Sequence, residues 1–200
     1  MLPRLTEMCD SSSLPIASAY ADEVLAALDA LEEAGSAEVA LGHIEHRARL
    51  LAGAAIVSVQ QNVTTTGDPG EQILLRRFYS SAAEAYPVSG TKRKLLTPWT
   101  ERIFLDGRTF VGEGSDALER FFDDHAQMRS WGLQSFVNVP LLRGEACYAT
   151  FNVFAARPCW QPGEVLAIRL LALAAARWVP CVASLSYRLK GRSISPSMES

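Results

Sequence analysis

Asn138 and Asn152 are the first residues here whose type and place suggest chemistry. Each falls inside a run of period-two alternation, residues 134–142 and 147–154, around the turn Arg143-Gly144-Glu145. Asparagine fits a strand poorly, and a buried amide must be hydrogen-bonded. Alternation puts Gln134, Phe136 and Asn138 on one face, and sets Tyr148, Thr150, Asn152 and Phe154 against Cys147, Ala149, Phe151 and Val153. The two amides line a polar pocket or satisfy loop backbone, and one amide can do both. Trp99 and Thr100 stand where a polar middle segment re-enters the fold. With Tyr79, Phe110 and Phe122 they can form the aromatic wall of a small-molecule site, or plain core.

Catalytic groups are sparser. In Asp123-Asp124-His125 a neighbouring carboxylate could orient the imidazole and raise its pKa, as a general base needs. Helical neighbours diverge by about 100°, so Asp124 does not simply face His125. Phe121 and Phe122 hold the positions that would, and Asp116 is the other candidate carboxylate. Cys147 has no histidine beside it, so nucleophilic or redox chemistry there needs a tertiary contact. Arg76, Arg77, Lys92, Arg93 and Lys94 recognise an anion or form a solvated basic rim. His43 and His46 lie three apart with no third ligand, and the four cysteines form no Cys-x-x-Cys pair. No metal site is expected, and no cofactor is assigned. Asn62-Val63-Thr64 fits the glycosylation pattern, which a cytoplasmic chain would not use.

These residues need elements to position them. Residues 1–19 lack periodicity and read as a flexible arm. Residues 20–33 and 37–52 read as amphipathic helices, the second capped by Ser36. Residues 54–63 and 71–79 read as a hairpin around Asp68-Pro69-Gly70, with Ile73, Leu75, Arg77 and Tyr79 on one face. Residues 80–97 read as a polar loop, and Thr97 caps a helix with Pro98 at its first position. Ser115 caps one helix over about 116–131, stopped by Gly132. The hairpin with the two asparagines follows; Pro140 belongs at an edge or strand end. A last helix runs over about 162–189, divided or kinked by Pro180. Residues 190–200 read as a disordered tail. The order predicts one α+β domain over 20–189: an antiparallel sheet, terminal helices on one face, and middle loops and helices over a ligand pocket on the other.

Composition agrees. The 200 residues are 48% apolar and 20% charged, enough for one sizeable core. Lys+Arg 19 against Asp+Glu 22 gives a net charge of −3, which argues against binding nucleic acid by phosphate neutralisation. The first 20 residues have no signal-peptide core, and Arg169, Arg177 and Pro180 break the apolar run 165–185. No membrane partner and a cytoplasmic location with free thiols are expected.

Ser135-Phe136-Val137-Asn138-Val139-Pro140-Leu141, a glycine turn, Phe151-Asn152-Val153, then Trp160 and an apolar helix resemble the C-terminal half of GAF domains. Phe78-Tyr79-Ser80-Ser81, Tyr86-Pro87-Val88, Gly90, Lys92 and Thr97-Pro98-Trp99-Thr100 are similar to a narrower group of short stand-alone bacterial GAF proteins. The resemblance covers about residues 20–188. It implies a GAF/PAS-like antiparallel sheet of five or six strands, a pocket for a small molecule, and homodimerisation through the terminal helices. Bilin attachment is not expected, because no cysteine lies in the helical middle segment, and Cys147 and Cys159 lack the spacing of the free-methionine-sulfoxide reductases. The function expected is binding of a polar or aromatic metabolite. The alternative is an enzyme in the same pocket, working through His125 with Asp124 or Asp116, or through Cys147.

Overall fold

A computed structural model describes residues 14–53 and 55–197 of the chain. Helix α1 (Leu14–Glu32) begins inside the segment read as an arm; residues 1–13 of that arm lie outside the described residues. Helix α2 (Ala37–Ala52) starts where Ser36 accepts a hydrogen bond from the Val39 amide. Its Ala40, Leu41, Ile44, Ala48 and Leu51 recur at three- and four-residue spacing and are buried as one face. In α1, Ala27 and Leu31 point inward while Leu25 and Leu28 stay exposed.

The sheet has six antiparallel strands: β1 (Ala55–Asn62), β2 (Gln72–Ser80), β3 (Thr91–Leu95), β4 (Phe110–Gly112), β5 (Ser135–Arg143) and β6 (Ala146–Ala155). Their order is β3-β2-β1-β6-β5-β4. Helix α2 and helix α6 (Pro162–Ala176) pack on one face, with α1 resting on both. The opposite face is covered by α3 (Pro98–Thr100), the π-helical turn Glu101–Leu105, α4 (Ser115–Phe121) and α5 (His125–Ser130). With cover on both sides, β6 is buried along its whole length.

Two β-bulges set which side chains face which layer. One lies between β1 and β2, where Val59 pairs with Tyr79 but Gln60 pairs with Arg77, leaving Phe78 extra. The other lies between β5 and β6, where Leu141 pairs with Ala149 but Leu142 pairs with Cys147, leaving Tyr148 extra. An extra residue inverts the alternation beyond it. Pro140 is not at a strand end: it pairs with Thr150 in mid-β5. It is tolerated because β4 reaches only Asn138, so β5 is the sheet's outer edge there.

Four expected elements differ. Strand β3 lies within the expected polar loop, its basic residues pairing in register with β2. The single helix over 116–131 is two, because Phe122 adopts an extended backbone (φ −129°, ψ 123°) and turns its ring onto Phe136 and Phe154. The last helix stops at Ala176, whose carbonyl would need the N–H that Pro180, four residues on, lacks. The chain then forms a small hairpin, β7 (Tyr187–Leu189) and β8 (Arg192–Ile194), within the expected end of the helix and the expected tail. Leu185, Tyr187, Leu189 and Ile194 are buried there. Residues 198–200 of that tail lie outside the described residues.

The hairpin is clasped to the sheet by Tyr187. Its hydroxyl donates to the Phe104 carbonyl at 2.9 Å and accepts from the Cys147 amide at 3.0 Å. Gly112 is set by close approach: a Cβ there would overlap the Phe136 ring. Leu166, Leu170 and Leu173 form an exposed stripe along α6. Among the described residues no helix is long and apolar enough to cross a membrane.

Candidate ligand-binding site

The centre of the site is a chain of buried hydrogen bonds. Asn138 and Asn152 are directly opposite each other on β5 and β6, and both are at most 3% exposed. The Asn138 amide NH₂ donates to the Asn152 carbonyl oxygen at 2.9 Å. The Trp99 indole N–H donates to the Asn138 side-chain oxygen at 2.8 Å. The Asn152 NH₂ reaches the Ser58 and Thr150 carbonyls, each at 3.3 Å. Two amides on a sheet face would be costly if unpaired, and this relay pairs them while fixing Trp99 over the sheet.

Thr97 and Thr100 hold the Trp99 turn from below. The Thr97 amide donates to the Thr100 hydroxyl at 2.6 Å, and the Thr100 amide donates back to the Thr97 hydroxyl at 3.3 Å. The Thr100 hydroxyl also lies 3.0 Å from the Leu95 carbonyl. Thr100 therefore braces the Trp99 turn and is not among the residues lining the hollow beside it.

That hollow lies between the sheet and the middle segment. It is small, with a cavity volume of about 40 Å³. Ile56, Ser58, Gln60, Ser80, Asn152 and Phe154 form the sheet side, and Trp99, Phe122, Met128 and Leu133 the lid. Arg77, Tyr86, Lys92, Lys94 and Asp124 complete the wall at the β2–β3 end. Strand alternation sorts the basic residues. Arg76 turns away to Gln61 and Arg93 to Asp68, whereas Arg77, Lys92 and Lys94 face the hollow.

The electrostatics of that end are uneven. Lys92 pairs with Asp124 at 3.0 Å and lies 3.4 Å from the exposed Asp123. Lys94 is mostly buried, 3.8 Å from Asp123, with its ammonium 5.4 Å and 5.8 Å from the Phe122 and Trp99 ring centroids. Burial, with Lys92 as a like charge beside it, lowers the Lys94 pKa to about 8. Lys94 and Lys92 in turn hold the Asp123 carboxyl below its ordinary value. Burial first, and then Asp124, raise the Tyr86 phenol to about 12. The Tyr86 hydroxyl is buried and has no hydrogen-bond partner.

The structure gathers only part of the expected set. Trp99, Phe122, Asn152 and Asp124 line the hollow. Asn138 lies one bond behind the wall, holding Trp99 and Asn152. Phe136 and Phe110 stack on each other behind Phe122, outside the lining. Asp116, in the first turn of α4, is also outside it. Tyr79 and Tyr148 are corrected to the opposite face. The bulges turn them toward the terminal helices, where the Tyr79 hydroxyl donates to Glu45 and the Tyr148 hydroxyl to the Ala176 carbonyl.

The catalytic candidates do not assemble at the hollow. His125 lies in a separate outer groove, its Nδ1 3.0 Å from the Phe122 carbonyl, while Asp124 is turned to Lys92. Cys147 is fully buried, donates to the Ala149 carbonyl, and has its thiol pushed far up by burial. His43 and His46 are both exposed on α2. Asn62 is buried, donating to the Cys147 carbonyl and accepting from Thr64, so its amide is unavailable for glycosylation. Ile56, Ser58 and Gln60 join the lining beyond the expected set, and period two in β1 is the signal that puts them on one face. Tyr86, quoted above only in the Tyr86-Pro87-Val88 resemblance, is brought to the wall by a loop and has no periodic signal.

No family model and no curated protein matches this sequence. Solved structures do share its architecture. The chromophore-binding domain of a bacteriophytochrome from R. palustris matches with a TM-score of 0.56 and 10% identity, over 88% of this chain and 62% of that chain. The chromophore-binding domain of phytochrome P1 from Stigmatella aurantiaca matches with a TM-score of 0.55 and 10% identity, over 90% of this chain and 63% of that one. The chain thus spans less than two thirds of either fragment. At such identities the likeness is one of fold, and this chain has the GAF-like α+β fold. A GAF domain from Thermosynechococcus elongatus gives a TM-score of 0.47 and 16% identity, over 66% and 77% of the two chains, which adds nothing to that statement.

Two measurements test this geometry. Asn138→Ala leaves the Trp99 indole and the Asn152 amide short of a partner, and should cost about 1–3 kcal/mol in urea unfolding; a loss under about 0.5 kcal/mol contradicts the relay. The second concerns pH. The folded-state Lys94 pKa, about 8, lies below its ordinary 10.5. Its penalty on stability is therefore fully present below pH 8 and fades as pH rises toward 10.5. The wild-type protein should gain stability relative to Lys94→Met across that window. An unchanging difference between the two unfolding curves contradicts the assignment.

Proposed function

We propose that this protein binds a small, flat, partly polar molecule in the hollow between the sheet and the Trp99 segment. The observation that carries this reading is the Tyr86 hydroxyl, buried at the wall of the hollow without a partner. A polar group in that position is satisfied when a ligand supplies the missing acceptor or donor. Around it, Trp99, Phe122 and Phe154 offer flat apolar area, and Ser58, Gln60 and Ser80 offer hydroxyl and amide groups. The phytochrome fragments of similar fold are described as chromophore-binding, which supports small-molecule binding as the class of activity. Turnover has no comparable support, since neither His125 nor Cys147 reaches the hollow. The exposed Leu166, Leu170 and Leu173 stripe supports self-association through the terminal helices, and sedimentation equilibrium should then show a dimer that Leu170→Glu dissociates.

Thermal-shift screening of a panel of neutral and charged aromatic metabolites should find compounds that raise the melting temperature. Tyr86→Phe should leave the unliganded protein as stable as wild type, or more stable by up to about 1 kcal/mol, because it removes an unsatisfied group. The same change should weaken binding of the hits by about five- to tenfold. A panel that leaves the wild-type melting temperature unmoved overturns the reading.

A further inference from the structure

The walls of the hollow are chemically divided, and the division specifies a ligand class. One part is apolar and aromatic, from Phe122, Phe154 and Trp99. The other end carries three cations, Arg77, Lys92 and Lys94. Two carboxylates, Asp123 and Asp124, answer them, leaving one positive charge in excess. Lys92 is matched by Asp124, and Arg77, which has no carboxylate within ion-pair distance, donates to the Pro87 carbonyl at 3.2 Å; Lys94 has neither a close carboxylate nor so short a hydrogen bond. Its nearest carboxylate oxygen is at 3.8 Å on the exposed Asp123, and its best oxygen contact is the Phe121 carbonyl at 3.4 Å. A cation this poorly solvated gains most from a small anion placed beside it.

We propose that the ligand is a small aromatic carboxylate whose anionic group docks against Lys94 with Lys92 and Arg77, its ring lying against Phe122, Phe154 and Trp99. This rests on the small-molecule reading above and specifies its chemistry. A monoanion neutralises the excess charge, whereas a dianion would leave a net negative charge in a poorly hydrated site. The Tyr86 hydroxyl stands on the same wall and can donate to the second carboxylate oxygen. The lowered Lys94 pKa agrees with a site that lacks its counter-ion.

The same residues define the way in. Lys94, Trp99 and Phe122 line both the hollow and a wider outer groove of about 400 Å³ on the far side of the lid. They are a wall one side chain thick. The groove also carries Arg93, Arg120 and His125, and a carboxylate that draws the Lys94 ammonium off the two ring faces opens the wall the two spaces share. The hollow alone is small, so this opening also supplies the room that a ring needs.

Isothermal titration of the full chain with benzoate, benzamide and acetate tests the inference. Benzoate should bind at least about tenfold more tightly than either of the others, and Lys94→Met should reduce that advantage below about threefold. Benzamide binding as well as benzoate overturns the anionic requirement and leaves the small-molecule reading standing. Acetate matching benzoate overturns the aromatic requirement. Silence from all three overturns the whole inference, while the wider screen decides the small-molecule reading separately. The wild-type comparison needs no variant, so the outcome does not depend on how Lys94→Met folds.

Discussion

Two primary amides in the middle of a sheet cannot be left without partners, and the arrangement of the layer over this face of the sheet follows from how they are answered. Each amide carries two donors and an acceptor with two lone pairs. Asn138 and Asn152 use one another, the Ser58 backbone and the indole of Trp99. The indole cannot move without exposing a buried oxygen, so the segment around Trp99 is held at a fixed height above the strands. The hollow is the space that this height leaves. The amides thus act mainly as a support, and only Asn152 shows itself to the interior.

Much of the fold was legible in the sequence because it rests on local signals. Ser36 before a helical stripe, Thr97-Pro98 before a turn, and alternating runs on either side of Gly144 each have one physical meaning. What escaped were features decided by tertiary contacts. Phe122 breaks a helix because Phe136 and Phe154 offer its ring a better place than solvent does. Strict alternation puts Tyr79 and Tyr148 on the face of the hollow, and a single extra residue in each strand reverses it. Strand β3 was hidden by its composition, Lys92-Arg93-Lys94, which reads as loop until an edge position is considered; there such charges discourage further pairing.

The basic cluster shows how sheet geometry converts an ordinary surface feature into a directed one. Five cations lie close together on two paired strands, and the pleat sends three inward and two outward. Outward, Arg93 meets Asp68 and Arg76 meets Gln61, contacts that brace the β1–β2 connection. Inward, Lys94 lies on ring faces with few oxygens near it. Residues adjacent in sequence therefore differ sharply in hydration, and that difference separates a bracing cation from one available to a guest.

The Tyr187 clasp bears on how the chain is made. Its hydroxyl joins positions 83 and 40 residues upstream, at Phe104 and Cys147. All six strands of the sheet are synthesised before that tyrosine is added. Until then the Cys147 amide, at the start of β6, and the Phe104 carbonyl, in the π-helical turn, wait for the hydroxyl that joins them. The interior is thus completed by a late-translated stretch, and a chaperone that shields this end of the sheet would act in that interval.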